Sequence, residues 1–233
     1  MSAPLSASSR VIAVTGLARE ARIAESEDGV HAVIGGGDET GLSDTLRRAV
    51  VQGAAGIISF GIAGGLDPAL RSGACVIGSA VSLGQSRWRT DTAWSKNLLQ
   101  ALPGSAFGEV TGIDQPAATV DHKRLLYSIT GALAVDMESH VAGRIAAEND
   151  LPFAILRIVC DPAQRSLPPA ALAGMRRDGT TNVGAVLGGL LATPAQLFRM
   201  IGLAADARVA FSELKRRRMM AGPRFGGPQR STN

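Results

Sequence analysis

The feature that most constrains this chain is an alternation. Short apolar runs of strand length at residues 11–15, 32–34, 56–60, 75–83, 106–110, 132–135 and 153–159 are separated by stretches with helical spacing. Helical patterns cover 42–52 after Gly41, 121–130 behind Asp121 as an N-cap, and 136–149, which Asn149-Asp150-Leu151-Pro152 closes. Strands interleaved with helices bury themselves by placing the helices on the faces of one sheet, which predicts an α/β fold. The expected architecture is a single domain with a central mixed, twisted β-sheet flanked by helices.

Past Pro168-Pro169 the pattern turns helical, and Thr193-Pro194 supplies a cap and a first-turn proline for a further helix. Leu197, Ile201, Ala204, Ala207, Phe211 and Leu214 give that helix one apolar stripe, so extra C-terminal helices are expected. Beyond Ala221, Gly222-Pro223 and Gly226-Gly227-Pro228 make the end turn-rich and polar, a composition that predicts disorder. The expected division is a flexible start at 1–9, a domain at 10–215 and a basic, disordered tail at 216–233. No internal repeat or composition break argues for a second domain.

With 45% apolar and 19% charged residues the chain reads as globular, and aromatics at 4% with one tyrosine argue against a base-stacking nucleic-acid binder. The net charge of +4 is concentrated at the end: six basic and no acidic residues follow from Lys215, while residues 1–214 carry 18 basic and 20 acidic groups. Charge therefore names no nucleic-acid partner. Cys75 and Cys160 form no C-x-x-C or Cys/His cluster, so they read as small buried hydrophobes rather than a zinc site or a disulfide, and no metal is expected. His31, His122 and His140 likewise lack a second ligand at metal spacing and read as surface or packing residues, and Trp88 and Trp94 read as a crossing loop. The first ten residues hold no apolar core of signal-peptide length, which suggests the cytoplasm. Residues 179–198 lack formal charge, but four glycines, polar residues and Pro194 make them a poor membrane span.

Three features carry candidate chemistry. Gly16, Gly35-Gly36-Gly37, and Gly61 with Gly64-Gly65 follow apolar strands, where open α/β sheets bind ligands, although neither a G-x-G-x-x-G nor a G-x-x-x-x-G-K-[ST] pattern is present. Each cluster could equally be a plain turn. Val135-Asp136-Met137-Glu138-Ser139 passes from a strand into a helix, and a glutamate in a first helical turn can accept two ribose hydroxyls or merely complement the helix dipole. Arg157-Ile158-Val159-Cys160-Asp161-Pro162 ends an apolar strand in an aspartate that is either a site residue or a turn initiator.

Together these segments resemble the nucleoside phosphorylase superfamily, in the branch holding methylthioadenosine/S-adenosylhomocysteine nucleosidase and the bacterial hopanoid-associated phosphorylases. Gly16-Leu17-Ala18-Arg19-Glu20 resembles the nucleosidases' Gly-x-x-x-Glu turn, and Gly61-Ile62-Ala63-Gly64-Gly65-Leu66 followed by Arg71-Ser72-Gly73 resembles their Gly-Ser-Ala-Gly-Gly-Leu loop. Val135-Asp136-Met137-Glu138 resembles the ribose-binding segment, and Cys160-Asp161 the Ser-Asp pair. The segment Asp121-His122-Lys123-Arg124-Leu125, the run from Thr130 to Ser139, and the added C-terminal helices look most like hopanoid-associated phosphorylase.

The resemblance implies cleavage of the N-glycosidic bond of an adenine nucleoside, adenosylhopane first, releasing adenine and ribosylhopane or its 1-phosphate. A methylthioadenosine/S-adenosylhomocysteine nucleosidase and a non-catalytic nucleoside-binding protein are the alternatives. It implies Asp161 as general acid at adenine N7 and Glu20 as the base for an attacking water. Met137 and Glu138 would bind the ribose, with Gly61, Gly64 and Gly65 around the substrate. A free aspartate is ionised near pH ~3.9, so the acid role requires burial. Gly16 and Arg19 are candidates for a phosphate or water pocket. Ile62 stands where the family has a hydroxyl residue and Ser59-Phe60 where phosphorylases carry an arginine, which leaves hydrolysis and phosphorolysis both open. No cofactor is implied beyond inorganic phosphate as a co-substrate. The implied partners are a lipid-tailed nucleoside, a second copy in a homodimer, and a peripheral membrane contact through Lys215-Arg216-Arg217-Arg218 at the inner face.

Overall fold

The computed structural model describes residues 10–36, 38–169 and 196–228. The expected flexible start, the helix start at Thr193-Pro194 and the final residues of the tail lie outside them. The elements run β1 (Val11–Thr15), α1 (Ala18–Ala24), β2 (Val30–Ile34), α2 (Glu39–Val51), β3 (Gly56–Gly65), β4 (Cys75–Leu83), β5 (Ser86–Arg89), α3 (Thr92–Ala101), β6 (Ala106–Gly112), α4 (Val120–Thr130), β7 (Ala134–Asp136), α5 (Ser139–Glu148), β8 (Phe153–Asp161) and α6 (Gln196–Ala221).

The sheet is mixed, as expected. Strands β2, β1, β3 and β8 run parallel to their neighbours, whereas β7 joins β3 antiparallel and β4 joins β8 antiparallel. Because β8 pairs with both β3 and β4 while β6 links β4 to β7, the strands β3, β7, β6, β4 and β8 close into a ring. The period of two along β1 sorts its side chains between two cores. Ile12 and Val14 join Leu42 and Leu46 of α2 and Val141 and Ile145 of α5. Val11 and Ala13 join Trp94 and Leu98 of α3 and Phe211 and Leu214 of α6. Cys75 and Cys160 are buried free thiols, and burial pushes Cys160 up to about 12. No helix among the described residues is long and apolar enough to cross a membrane.

Four local expectations are corrected. The strand expected to stop at Phe60 continues to Gly65, because glycine reads as a breaker in sequence yet here lets other side chains approach the strand closely. The helix expected from Asp136 begins at Ser139: Asp136 Oδ1 accepts the backbone N–H groups of Glu138 and Ser139 at 2.9 and 2.7 Å, so the aspartate holds a turn. Glu138 is thereby the residue just before the helix. The segment around the tryptophans is not a loop: Trp88 lies on β5, which pairs antiparallel with β4, and Trp94 lies buried on α3, whose Asp91 cap accepts its N–H at 2.7 Å.

The fourth correction concerns the tail. Helix α6 runs to Ala221 and is followed by a single 3-10 turn at Pro223–Gly226 whose Phe225 is fully buried against Phe60. Arg218 is buried as well: it donates to Ala24 O at 2.8 Å, closing the C-terminus of α1, and to Gly222 O at 2.6 Å, with its guanidinium 4.0 Å from the Phe225 ring. Arg217 donates to Pro103 O at 2.9 Å. Composition hides this, because arginines that satisfy backbone carbonyls and stack on an aromatic ring pack as well as apolar residues.

Candidate active site

Gly64, near the C-terminal end of β3, pairs with Val135 of the antiparallel β7 and with Asp161 at the C-terminal end of β8. Glu20 and Glu138 converge with Gly16 and Gly61, and Asp161 lies beside Gly64 on the adjacent strand. Glu20, on α1, turns back over the strand ends. Its Oε2 accepts the N–H groups of Gly16 and Leu17, both at 2.8 Å, and its Oε1 accepts the N–H of Ile62 at 2.8 Å. A carboxylate offers about four acceptor positions, so one is left over. Burial raises the Glu20 pKa, against the lowering by Arg157 and those three N–H groups.

Two glycines make room for the carboxylates. A Cβ at Gly16 would lie 2.8 Å from Glu138 Oε1, and one at Gly61 would lie 2.6 Å from Glu20 Oε1 and 2.9 Å from Arg157 Nη1. At Gly61 the backbone φ of 155° is also one that residues with a side chain rarely adopt. Gly64 and Gly65 pack tightly against Val135 and Val159 beside Asp161. Met137 is half-buried next to Glu138.

The group that organises the site is Arg157, which the sequence reading passed over. It is fully buried on β8, with Nε 3.0 Å from Asp136 Oδ2 and Nη2 3.3 Å from Glu138 Oε2. Nη2 also donates to Ser59 Oγ at 2.6 Å, and Ser139 Oγ donates to Asp136 Oδ2 at 2.6 Å. The one guanidinium thus answers three buried carboxylates, Glu20, Asp136 and Glu138. Glu138 is raised to about 7, first by burial and then by Asp136 and Glu20, with Arg157 opposing. The available signal was an arginine centred in an apolar strand, where only a paired charge survives burial.

Asp161 lies at the end of β8, its pKa raised by burial and held back by Lys123. Lys123, the second residue missed, is fully buried on α4 with Nζ 2.5 Å from Asp161 Oδ2. Arg19 does not join the site. It is exposed, with its guanidinium 4.1 Å from the ring centre of Phe211 on α6, so the expected Gly16/Arg19 pocket holds Gly16 and Glu20 instead. Among the described residues one His/carboxylate group has metal-like proximity: the ligand atoms of Glu39, Asp114 and His140 lie within 4.8 Å of one another. Glu39 is already paired with Arg144 at 3.0 Å, and His140 is buried against Gly112 with neither ring nitrogen hydrogen-bonded among the described residues.

A model of the family described as the phosphorylase superfamily matches residues 42–192, more than half of the chain and a span that includes Lys123, Glu138, Arg157 and Asp161. The chain belongs to the phosphorylase superfamily. Solved structures share its fold at low identity. The 5′-methylthioadenosine/S-adenosylhomocysteine nucleosidase of Neisseria meningitidis, in complex with methylthio-immucillin-A, superposes with a TM-score of 0.64 at 15% identity, covering 91% of this chain and 97% of that one. A mutant nucleosidase of Helicobacter pylori with 5′-methylthioadenosine in its active site gives 0.60 at 13% identity over 90% and 97%. Futalosine hydrolase of Helicobacter pylori gives 0.57 at 14% identity over 66% and 88%. No curated protein sequence matches the chain significantly. The superfamily's α/β domain is therefore the fold, and α6 is carried on it as the expected C-terminal addition.

Proposed function

We propose that the protein hydrolyses the N-glycosidic bond of an adenine nucleoside. The observation that carries the reading is the buried cluster of Glu20, Asp136 and Glu138 around a single guanidinium, Arg157. As the bond to the base breaks, positive charge develops on the sugar ring, and a cluster with surplus negative charge stabilises that state more than the neutral ground state. The same surplus opposes a phosphate dianion. The nucleophile that fits is water, with inorganic phosphate as the rejected co-substrate.

In this reading Asp161 donates a proton to N7 so that adenine leaves neutral. Glu138 accepts the ribose hydroxyls beside Met137, and Glu20 takes the proton of the water that adds to the sugar carbon. Burial raises all three carboxyls, which suits Asp161 as an acid and brings Glu20 closer to an effective base at neutral pH. The presence of Glu138 and Asp161 together favours catalysis over mere nucleoside binding.

For the substrate, the resemblance of residues 121–139 and of the C-terminal addition to hopanoid-associated phosphorylase supports adenosylhopane. The fold neighbours named as nucleosidases favour methylthioadenosine or S-adenosylhomocysteine as the second reading. A homodimer in the cytoplasm is part of the proposal. A contact with an anionic membrane would rest on the exposed Lys215 and Arg216, the latter paired with Glu213, because Arg217 and Arg218 are turned inward. Incubation with each of the three nucleosides, with and without phosphate, followed by chromatography of adenine, tests the reading. Adenine release without phosphate is expected from at least one; no release from any of them in the absence of phosphate overturns it.

A further inference from the structure

Lys123 is one of three lysines in the chain, and it is fully buried. Its ammonium lies 2.5 Å from Asp161 Oδ2, 2.8 Å from the Asp161 carbonyl oxygen, and 3.0 Å from the carbonyl oxygens of Pro162 and Arg165. Three N–H groups thus serve four acceptors, which fixes both the carboxylate and the chain that leaves β8. A buried ammonium could have satisfied itself on carbonyls alone. Here its shortest contact is the carboxylate, and only one of the two oxygens is taken: Oδ1 receives no side-chain donor among the described residues.

We propose that Lys123 is a positioning residue for Asp161: it binds Oδ2, leaves Oδ1 as the oxygen that carries the transferable proton, and provides the positive charge against which the carboxylate forms as the proton departs. The inference rests on the nucleosidase reading for the proton's destination, but the coupling of the two side chains does not. In the step itself the Asp161 O–H bond breaks, an N–H bond forms on the leaving base, and the electron pair left on Asp161 is met by the Lys123 ammonium, which keeps its own protons. An acid buried without such a charge would be too weak, and one exposed to water would be ionised before the substrate arrived.

Among the described residues the other titratable groups that act on Asp161 or adjoin it are Asp206 and Cys160. Asp206 on α6 opposes Lys123 by raising the carboxyl and is itself paired with Arg165, and the Cys160 thiol beside it is held neutral by burial. Removing the lysine charge leaves burial and Asp206 unopposed, so the carboxyl must hold its proton to higher pH.

The experiment compares wild type with K123M and with K123Q, whose amide still donates to the carbonyls but carries no charge. The Asp161 carboxyl is followed by its infrared C=O band, assigned as the band missing in D161N, across a pH titration without substrate. The band should persist at least one pH unit higher in K123Q than in wild type; titration at the same pH in both overturns the proposal, whether or not the protein is a nucleosidase. With a cleaved nucleoside, kcat of K123M should fall about tenfold with KM nearly unchanged and the alkaline limb of the pH profile displaced upward, and propylamine should restore part of both. A rise in KM alone, with the limb in place, contradicts it and assigns Lys123 to packing.

Discussion

Arg157 Nη2 stands 3.3 Å from Glu138 Oε2 with both side chains buried, so the carboxylate expected to meet a ribose is held by a charge from β8 before any ligand arrives. Orientation that is fixed in advance costs nothing at the moment of reaction. It also makes the site a burden on the fold, because each charge depends on the others.

Substitution Arg157→Met measures that dependence. Removing one partner of a buried ion pair leaves uncompensated charge, typically costing about 3–5 kcal/mol. Urea denaturation should show a loss of that size, larger at pH 8 than at pH 5, where the carboxyls can take up protons instead. Near-wild-type stability at pH 8 would mean that the carboxyls are already neutral and that the charge argument is wrong.

Glu138 makes a second prediction about pH. Its folded-state value, raised to about 7 from 4.5, means that the folded protein binds more protons than the unfolded chain between those values. Stability is therefore greatest below the window and is lost as the pH rises through it. Glu138→Gln keeps the shape and removes the titration, so between pH 5 and pH 8 the wild type should lose about 2 kcal/mol more than the variant. Parallel stability curves would contradict the assignment of the shift to Glu138.

The glycines give a third. Gly61→Ala places a methyl group on Glu20 Oε1 and Arg157 Nη1 at a backbone angle unsuited to alanine. A cost of about 1–3 kcal/mol in stability is expected, together with a larger loss of activity than from Gly104→Ala, whose Cβ meets nothing within 4 Å. Equal effects of the two substitutions on activity would remove Gly61 from the site.

How far the sequence revealed this arrangement differs from element to element. Val11–Thr15 and Cys75–Leu83 match the apolar runs to the residue: β1 is buried throughout, and β4 is buried except at Ser79, Ser82 and Leu83, which are half-buried. The short α1 and α3 were hidden: α1 has one turn to spare and carries Arg19, Glu20 and Arg22, while α3 follows arginines that read as a loop. Glu20, Glu138 and Asp161 were legible through motif resemblance. Arg157 and Lys123 were not, since a charge reads as surface until its partner is known, and the partners lie 19 and 38 residues away in the chain. The ring of strands could not be read from element order, which does not record that β8 pairs on both sides.

The C-terminal end supplies a fourth prediction. Phe225→Ala should cost about 3–5 kcal/mol, as for a buried phenylalanine elsewhere, because the ring packs on Phe60 and under the Arg218 guanidinium, while its own backbone carbonyl, which accepts the Trp94 indole N–H at 2.9 Å, is kept. A thermal unfolding midpoint unchanged from wild type would return these residues to the role of a loose tail.

The central claim is that water, activated at Glu20 and matched by proton donation from Asp161, cleaves an adenine nucleoside. It is tested most directly by running the reaction in ¹⁸O-labelled water with inorganic phosphate present, on whichever nucleoside releases adenine, and taking mass spectra of the sugar product for wild type and D161N. The account predicts free sugar carrying ¹⁸O at the former glycosidic carbon, and a rate lower by about 10²–10⁴ in folded D161N. A sugar 1-phosphate, or undiminished turnover by D161N, would contradict it.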